Sequence, residues 1–136
     1  MHMELQVGVK ALLKNKDGKY LLLLRSRDKY KDVMGEWDIV GGRIDPGSPL
    51  IENLKREIKE ETGLDLIDEP KLIYAQDILR VPGRHVVRLT YTANIEGEPK
   101  IDEEHREYKW FTLEELKNME NLDVYFRELL DKAIIA

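Results

Sequence analysis

The sequence predicts a mixed β-sheet with helices packed on it, an α/β (α+β) sandwich. Apolar runs of strand length alternate with turn residues, two stretches change to a helical period, and the order is strands, helix, strands, helix. At 136 residues the chain reads as one domain over 1–136, long enough to bury a core without staples. No repeat, low-complexity tract or Pro/Gly/Ser-rich linker divides it.

The elements follow in order. "LQVGVKALL" and "KYLLLLRS" are strand-length runs separated by "KNKDGK", whose Asp17-Gly18 pair signals a hairpin, so the two are expected to pair. A polar loop, "RDKYKDVMGE", leads to "WDIV", a short strand expected to end at Gly41-Gly42. In "SPLIENLKREIKEETG" Ser48 suits an N-cap, Pro49 the first helical position and Gly63 the position past the end, which predicts a helix over 49–62. "KLIYAQDIL" and "RHVVRLTYTANI" read as strands joined by a turn at Pro82-Gly83, and "REYKWF" as a further strand. Thr112 opens a capping box closing on Glu115, and "DVYFRELLDKAII" supplies a last amphipathic helix.

Composition removes several classes of function. With no cysteine, neither a disulfide framework nor a thiolate metal site is available, and a cytoplasmic setting is expected. A leader pattern and a long apolar run are both missing, which argues against a membrane. The net charge of -5 argues against nucleic acid as a partner and means that an acidic protein acting on phosphates needs cations.

The middle helix crowds its acids. Leu50, Leu54, Ile58 and Ile51 form the expected core stripe, opposite a solvated face of Glu52, Lys55, Arg56 and Lys59. Glu57 and Glu61 fall about 20° either side of Leu50, with Glu60 beside them, so two carboxylates overlap the buried stripe. A carboxylate turned towards a core must be paired, coordinated or neutralised. Hard divalent cations take such oxygen ligands. On the helix alone, a surface decorated by Arg56 and Glu60 at i and i+4 reads equally well. The preceding Gly41-Gly42, which permits close backbone approach, favours a site.

Residues 42–64, "GRIDPGSPLIENLKREIKEETGL", resemble the signature of the Nudix hydrolase family, Gly-x5-Glu-x7-Arg-Glu-U-x-Glu-Glu-x-Gly-U, with U a bulky aliphatic. Gly42, Arg56, Glu57, Ile58, Glu60, Glu61, Gly63 and Leu64 match, and Ser48 stands in place of the first glutamate. The element order also resembles the Nudix α/β/α sandwich. The resemblance implies hydrolysis of a nucleoside diphosphate linked to another moiety, with Mg²⁺ or Mn²⁺ bound by the box. It assigns Glu60 and Glu61 as principal metal ligands and Glu57 as general base or further ligand. Arg56 belongs to the same catalytic set, and the Gly41 carbonyl is another ligand. A further acid is expected from "DEEHREYKW": Glu104 is the candidate, with Glu103 and Glu107 as rivals. Metal ions would neutralise the diphosphate and orient an attacking water while a carboxylate takes its proton.

Ser48 puts the anchoring of Arg56 and the metal complement in question, with Glu52 a possible substitute partner for that arginine. Arg25 and Arg27, at the end of a strand leading towards the site, are candidates for gripping substrate phosphates. "RVPGRHVVR" holds three arginines and His85 in a hairpin that could reach substrate or a partner subunit, although a solvated hairpin is the plainer reading. His105 is a candidate for proton transfer, although a lone loop histidine is more often incidental. For Trp37, Tyr74, Tyr91 and Trp110, core packing is preferred over stacking on a base. The favoured substrate is a nucleoside triphosphate, oxidised or not, cleaved to monophosphate and pyrophosphate. ADP-ribose or a nucleotide sugar is the alternative, and a non-catalytic nucleotide sensor the second. The family resemblance makes a homodimer plausible.

Overall fold

The computed structural model describes residues 2–26 and 35–135. The strands are β1 (Glu4–Lys14), β2 (Tyr20–Arg25), β3 (Trp37–Asp38), β4 (Val40–Arg43), β5 (Lys71–Ile78), β6 (Arg84–Asn94) and β7 (His105–Phe111). The helices are α1 (Leu50–Thr62), α2 (Leu113–Lys117) and α3 (Val124–Asp131). One mixed sheet runs β3-β2-β1-β6-β5, with β4 also on β1 and β7 also on β2.

β1 and β2 turn back on each other, but they share one registered pair, Lys14↔Tyr20. The turn is held by Asn15, whose Oδ1 accepts from the Asp17 and Lys19 N–H groups. Beyond it each strand takes other partners. β1 lies parallel to β6 along its whole length and antiparallel to β4, while β2 pairs with β7 and β3. The expected strand pairing therefore reduces to its first rung. The segment expected to end at Gly41-Gly42 crosses between the two strands instead: Trp37 and Asp38 pair with β2, Val40 to Arg43 pair with β1, and both glycines lie inside β4.

Alternation places an apolar core on each face of the sheet. Val9, Ala11, Leu13, Leu21, Leu23 and Val40 pack under Leu54 and Ile58 of α1, whereas Leu12, Tyr20, Leu22 and Ile39 face Leu116 of α2 and Phe126, Leu129 and Leu130 of α3. This is the sandwich that the element order predicted, in the α/β/α form that the family resemblance implied.

The start of α1 departs from expectation. Pro49 occupies the N-cap with extended backbone, and no cap side chain bonds to the first turn. Asn53, fully buried, holds the entry loop from inside the helix. Its Nδ2 donates to the Ser48 and Pro49 carbonyls at 3.0 and 2.8 Å, and its Oδ1 accepts from Asp45 N–H at 2.9 Å. Because the helix is fixed this way, the buried stripe comprises Asn53, Leu54, Ile58, Glu61 and Thr62, while Leu50 is exposed and Ile51 half-buried. Gly63 ends the helix in the left-handed region at φ 73°, as its position suggested. The Thr112–Glu115 capping box is present, and Asp123 caps α3 through the Tyr125 and Phe126 N–H groups. No helix among the described residues is long and apolar enough to cross a membrane.

Phe126 is fully buried between α3 and the sheet. Phe126→Ala is expected to lower unfolding free energy by about 3–5 kcal/mol in denaturant titration, against less than about 1 kcal/mol for Val124→Ala on the exposed side of the same helix.

Candidate active site

The last two turns of α1 deliver three carboxylates to the edge of β4. Glu61 is buried, Glu57 half-buried and Glu60 exposed. Glu61 Oε1 accepts from the Gly41 N–H at 2.7 Å. The two glycines permit this approach: at Gly41, φ 138° with Val9 O only 2.1 Å from a Cβ position excludes a side chain, and at Gly42 a Cβ would lie 2.8 Å from the Glu57 carboxylate. The sequence suggested that backbone could come close to a ligand here, and it is the acids of α1 that come close.

On the other side of Glu61 stands a histidine. His105 Nε2 lies 3.7 Å from Glu61 Oε2, and its Nδ1 is 2.6 Å from Asp102 Oδ1. One ligand atom from each of Glu61, Asp102 and His105 falls within 4.8 Å of the other two. Glu57, Glu60, Glu61, Asp102, Glu103 and Glu104 together line one pocket of about 380 Å³. Glu104 and Glu103 thus reach the acid cluster, whereas Glu107 points elsewhere on β7, opposite Leu24. Asp102 was not picked out from the sequence. Its signal was weak, one acid among several in "IDEEHRE".

Arg56 ties the box together. Its guanidinium reaches Asn53 Oδ1 at 3.0 Å, Glu57 at 3.2 Å, Glu60 at 3.3 Å and Asp45 at 3.4 Å. Glu52 is not among these partners, so the arginine is anchored by Asn53 and Asp45 rather than by the residue suggested as a substitute. Ser48 contributes its carbonyl to Asn53.

A larger cavity of about 550 Å³ joins this acid end to the sheet face towards α3. Its floor is a buried ion network. Asp38 contacts Arg25 closely, Lys10 at 3.0 Å and Arg88 at 3.0 Å, while Asp123 pairs with Arg25 at 3.2 Å and Arg88 at 3.1 Å. Burial alone would raise Asp38, but Arg88, Lys10 and Arg25 overcome it and hold the carboxyl far below its usual range. Arg25, expected to grip phosphates, lines this cavity with its guanidinium engaged by Asp38, Asp123 and the Gly35 carbonyl. Arg27 lies outside the described residues. Lys10 also donates to the Gly41 carbonyl at 3.4 Å. Sequence reasoning missed Lys10, Asp38 and Asp123, and Arg88, read with the other hairpin arginines as solvated, is buried instead; the available signal was charge interrupting apolar strands, as in "GVKALL", "WDIV" and "HVVRLTY".

The aromatic residues mostly serve packing. Trp37 meets Phe111 edge-on at 5.4 Å, Tyr91 is buried, Tyr74 donates to Glu128, and Trp110 packs on the α1-side core with its Nε1 on Glu98.

A model of the NUDIX domain matches residues 4–132. The chain belongs to the Nudix family. It is 33% identical over 124 residues to an Escherichia coli protein named nucleoside triphosphatase NudI, covering 84% of this chain and 86% of that one. Its fold matches the MutT protein from Methanosarcina mazei Go1 with TM-score 0.84 at 29% identity, covering 97% and 94% of the two chains. A MutT NUDIX hydrolase from Burkholderia pseudomallei aligns with TM-score 0.78 at 30% identity over 94% and 97%. This Nudix protein is accordingly a hydrolase of phosphoric anhydride bonds.

In the Nudix box, burial outweighs the positive charge of Arg56 and Lys10 beside the acids. Burial pushes Glu61 up to about 8, with Glu57 and Asp102 adding repulsion, while Lys10 and the Gly41 N–H work against the rise. Burial also raises Glu57, opposed by Arg56 and reinforced by Glu60. A buried oxygen-rich cluster with one imidazole and too little counter-charge fits a divalent cation.

The sign of the linkage follows. Between the ordinary value of 4.5 and about 8 the folded protein keeps a proton on Glu61 that the unfolded chain has lost, so stability falls as pH rises through that window. In chelator, the metal-free protein is expected to lose on the order of 2 kcal/mol between pH 5 and pH 8 relative to Glu61→Gln, measured by denaturant titration at each pH. Parallel curves for the two proteins would refute the assignment.

Proposed function

We propose that this Nudix hydrolase cleaves a nucleoside triphosphate to the monophosphate and pyrophosphate with Mg²⁺, and that Mn²⁺ can replace it. The observation that carries this reading is one cavity of about 550 Å³ that brings Glu57, Glu61 and Glu104 together with the apolar side chains of Ile39, Ile78, Val81, Val86 and Tyr125. Arg88 Nε, on the floor, is buried and has no partner among the described residues, which supports a polar ligand group above it. The identity to a nucleoside triphosphatase, NudI, supports the same substrate class.

Glu57, Glu60 and Glu61, the Gly41 carbonyl, and either Glu104 or the Asp102–His105 pair are the residues that would hold the cation. When bound, it neutralises phosphate oxygens and lowers the pKa of an attacking water. Glu57, set against Gly42 and raised by burial, is placed to take the water proton on its carboxylate. Arg56 orients Glu57 and Glu60. The Arg25–Asp38–Arg88–Asp123 network keeps the floor rigid and polar, with Arg25 lining it. The whole chain, 1–136, acts as one catalytic domain. A cytoplasmic location and a homodimer belong to this proposal, the former suited by the lack of cysteine. ADP-ribose or a nucleotide sugar is the second reading, favoured by the arginines at the far end of the same cavity. A sensor without turnover is opposed by the presence of all three box acids.

A product-resolved panel of nucleoside triphosphates, ADP-ribose, nucleotide sugars and dinucleoside polyphosphates, with Mg²⁺ and with chelator, tests the reading. Metal-dependent release of monophosphate and pyrophosphate, reduced about 10²–10⁴-fold in Glu57→Gln, is the expected result. No turnover with any substrate refutes it. For the ligands beyond the box, Asp102→Asn and His105→Asn are expected to raise the Kd for Mn²⁺ about tenfold in calorimetric titration if that pair binds the metal, with Glu103→Gln unchanged. A rise confined to Glu104→Gln assigns the ligand to Glu104 instead.

A further inference from the structure

Three arginines at the open end of the cavity are not absorbed by the catalytic arrangement. Arg43 follows the glycine pair on β4, Arg84 begins β6 and Arg80 lies in the loop between β5 and β6; all three line the same cavity as Glu57 and Glu61. Two belong to the hairpin whose plainer reading was a solvated surface. The cations on the floor are held differently: Lys10, Arg25 and Arg88 are bound by Asp38 and Asp123. The side chains of Arg43, Arg80 and Arg84 make no hydrogen bond or ion pair among the described residues.

Register fixes where they stand. On β1, Lys10 faces Gly41, Gly8 faces both Arg43 and Arg88, and Glu4 faces Arg84. Residues 4, 6, 8 and 10 share one face of the strand, so the arginines lie along that face beyond the ion network, on the side away from the acids. The backbone of Arg84 is roughly 20 Å from that of Lys10 at about 3.3 Å per residue, and the long side chains shorten the gap between charge centres. Partial burial, together with the like charge of Arg84, pulls the Arg43 guanidinium below its ordinary value. Glu4, the acid acting on Arg43 among the described residues, is engaged by Gln6. In a protein with net charge -5, unpaired cations gathered at one cavity mouth are poised for an anion rather than for solubility.

We propose that Arg43, Arg80 and Arg84 form an anion subsite that takes a phosphate of the substrate remote from the anhydride being cleaved. This deepens the pyrophosphohydrolase reading and rests on it for the identity of the substrate. The shared chemistry is a phosphate dianion met by guanidinium forks. Its source is a phosphate on the far side of the nucleoside, as in a sugar-phosphorylated nucleotide or the second half of a dinucleotide, because the terminal phosphate of a triphosphate is one bridging oxygen from the cleaved anhydride and stays at the acid end.

The first measurement uses the whole protein in chelator, where the acid end repels anions. Calorimetric titration with inorganic pyrophosphate is expected to show binding that weakens about tenfold in each of Arg43→Gln, Arg80→Gln and Arg84→Gln and with added salt. Absence of binding, or binding indifferent to all three substitutions, overturns the subsite. Hydrolysis with metal then identifies the source. An equal rise in KM for plain triphosphates and for nucleotides carrying a remote phosphate in Arg84→Gln overturns the remote subsite. A rise confined to nucleotides carrying a second, sugar-bound phosphate or a second nucleotide assigns the far phosphate. An unchanged KM for every substrate overturns the proposal. Failure of all turnover, with arginine-dependent pyrophosphate binding intact, would instead count against the hydrolytic reading and leave the subsite standing.

Discussion

The arrangement of this protein depends on one buried carboxylate. Glu61 sits at the end of α1 where the helix meets β4, with the Gly41 N–H as its one backbone donor among the described residues and Lys10 as the nearby cation acting on it. An ionised group in that position costs several kcal/mol unless a proton or a cation compensates it. Gly41 and Gly42 have to lack side chains for the acid to enter, Asn53 has to hold the helix in the phase that turns it inward, and Gly63 has to end the helix directly afterwards. The helix tolerates three neighbouring acids because Arg56 contacts Glu57 and Glu60 while the Gly41 N–H and Lys10 act on Glu61.

A second electrostatic device lies under the cavity. Asp38 and Asp123 come from different parts of the chain, and Arg25, Arg88 and Lys10 from three strands, yet they share one network. Breaking a buried network of this kind by removing one partner strands the others, so it holds β1, β2, β3, β6 and the start of α3 at fixed distances. Lys10 touches both systems, Asp38 on one side and the Gly41 carbonyl on the other. The chamber floor and the acid end are thereby mechanically joined.

Much of this was legible in the sequence, and the gaps have physical causes. The order of elements, the box acids, the end of α1 at Gly63 and the Thr112 capping box depend on local pattern, and they are found where pattern puts them. The pairing of β1 with β6 depends on tertiary context, and a strong turn signal at Asp17-Gly18 hid how soon β1 and β2 part. Ser48 and Pro49 obey capping preferences, but Asn53 four residues inside the helix supplies the bonds, which no cap rule anticipates. The ion network escaped because a lone charge in an apolar strand declares burial without naming its partner. Asp102 escaped because neighbouring acids in an exposed-looking loop are indistinguishable until the backbone orients them.

The pairing of β1 with β6 also governs how the molecule comes into being. Residues brought side by side in the middle of the sheet are about eighty apart in sequence, a long loop to close before any contact is gained. A nascent chain that has already made α1 still lacks the strand that completes β1, and Arg88 arrives only with that strand. Until then Asp38 has Lys10 and Arg25 but not Arg88, and the edge of β1 is open to other chains. Assembly of the chamber is therefore a late and cooperative event, set by topology rather than by the strength of the box helix.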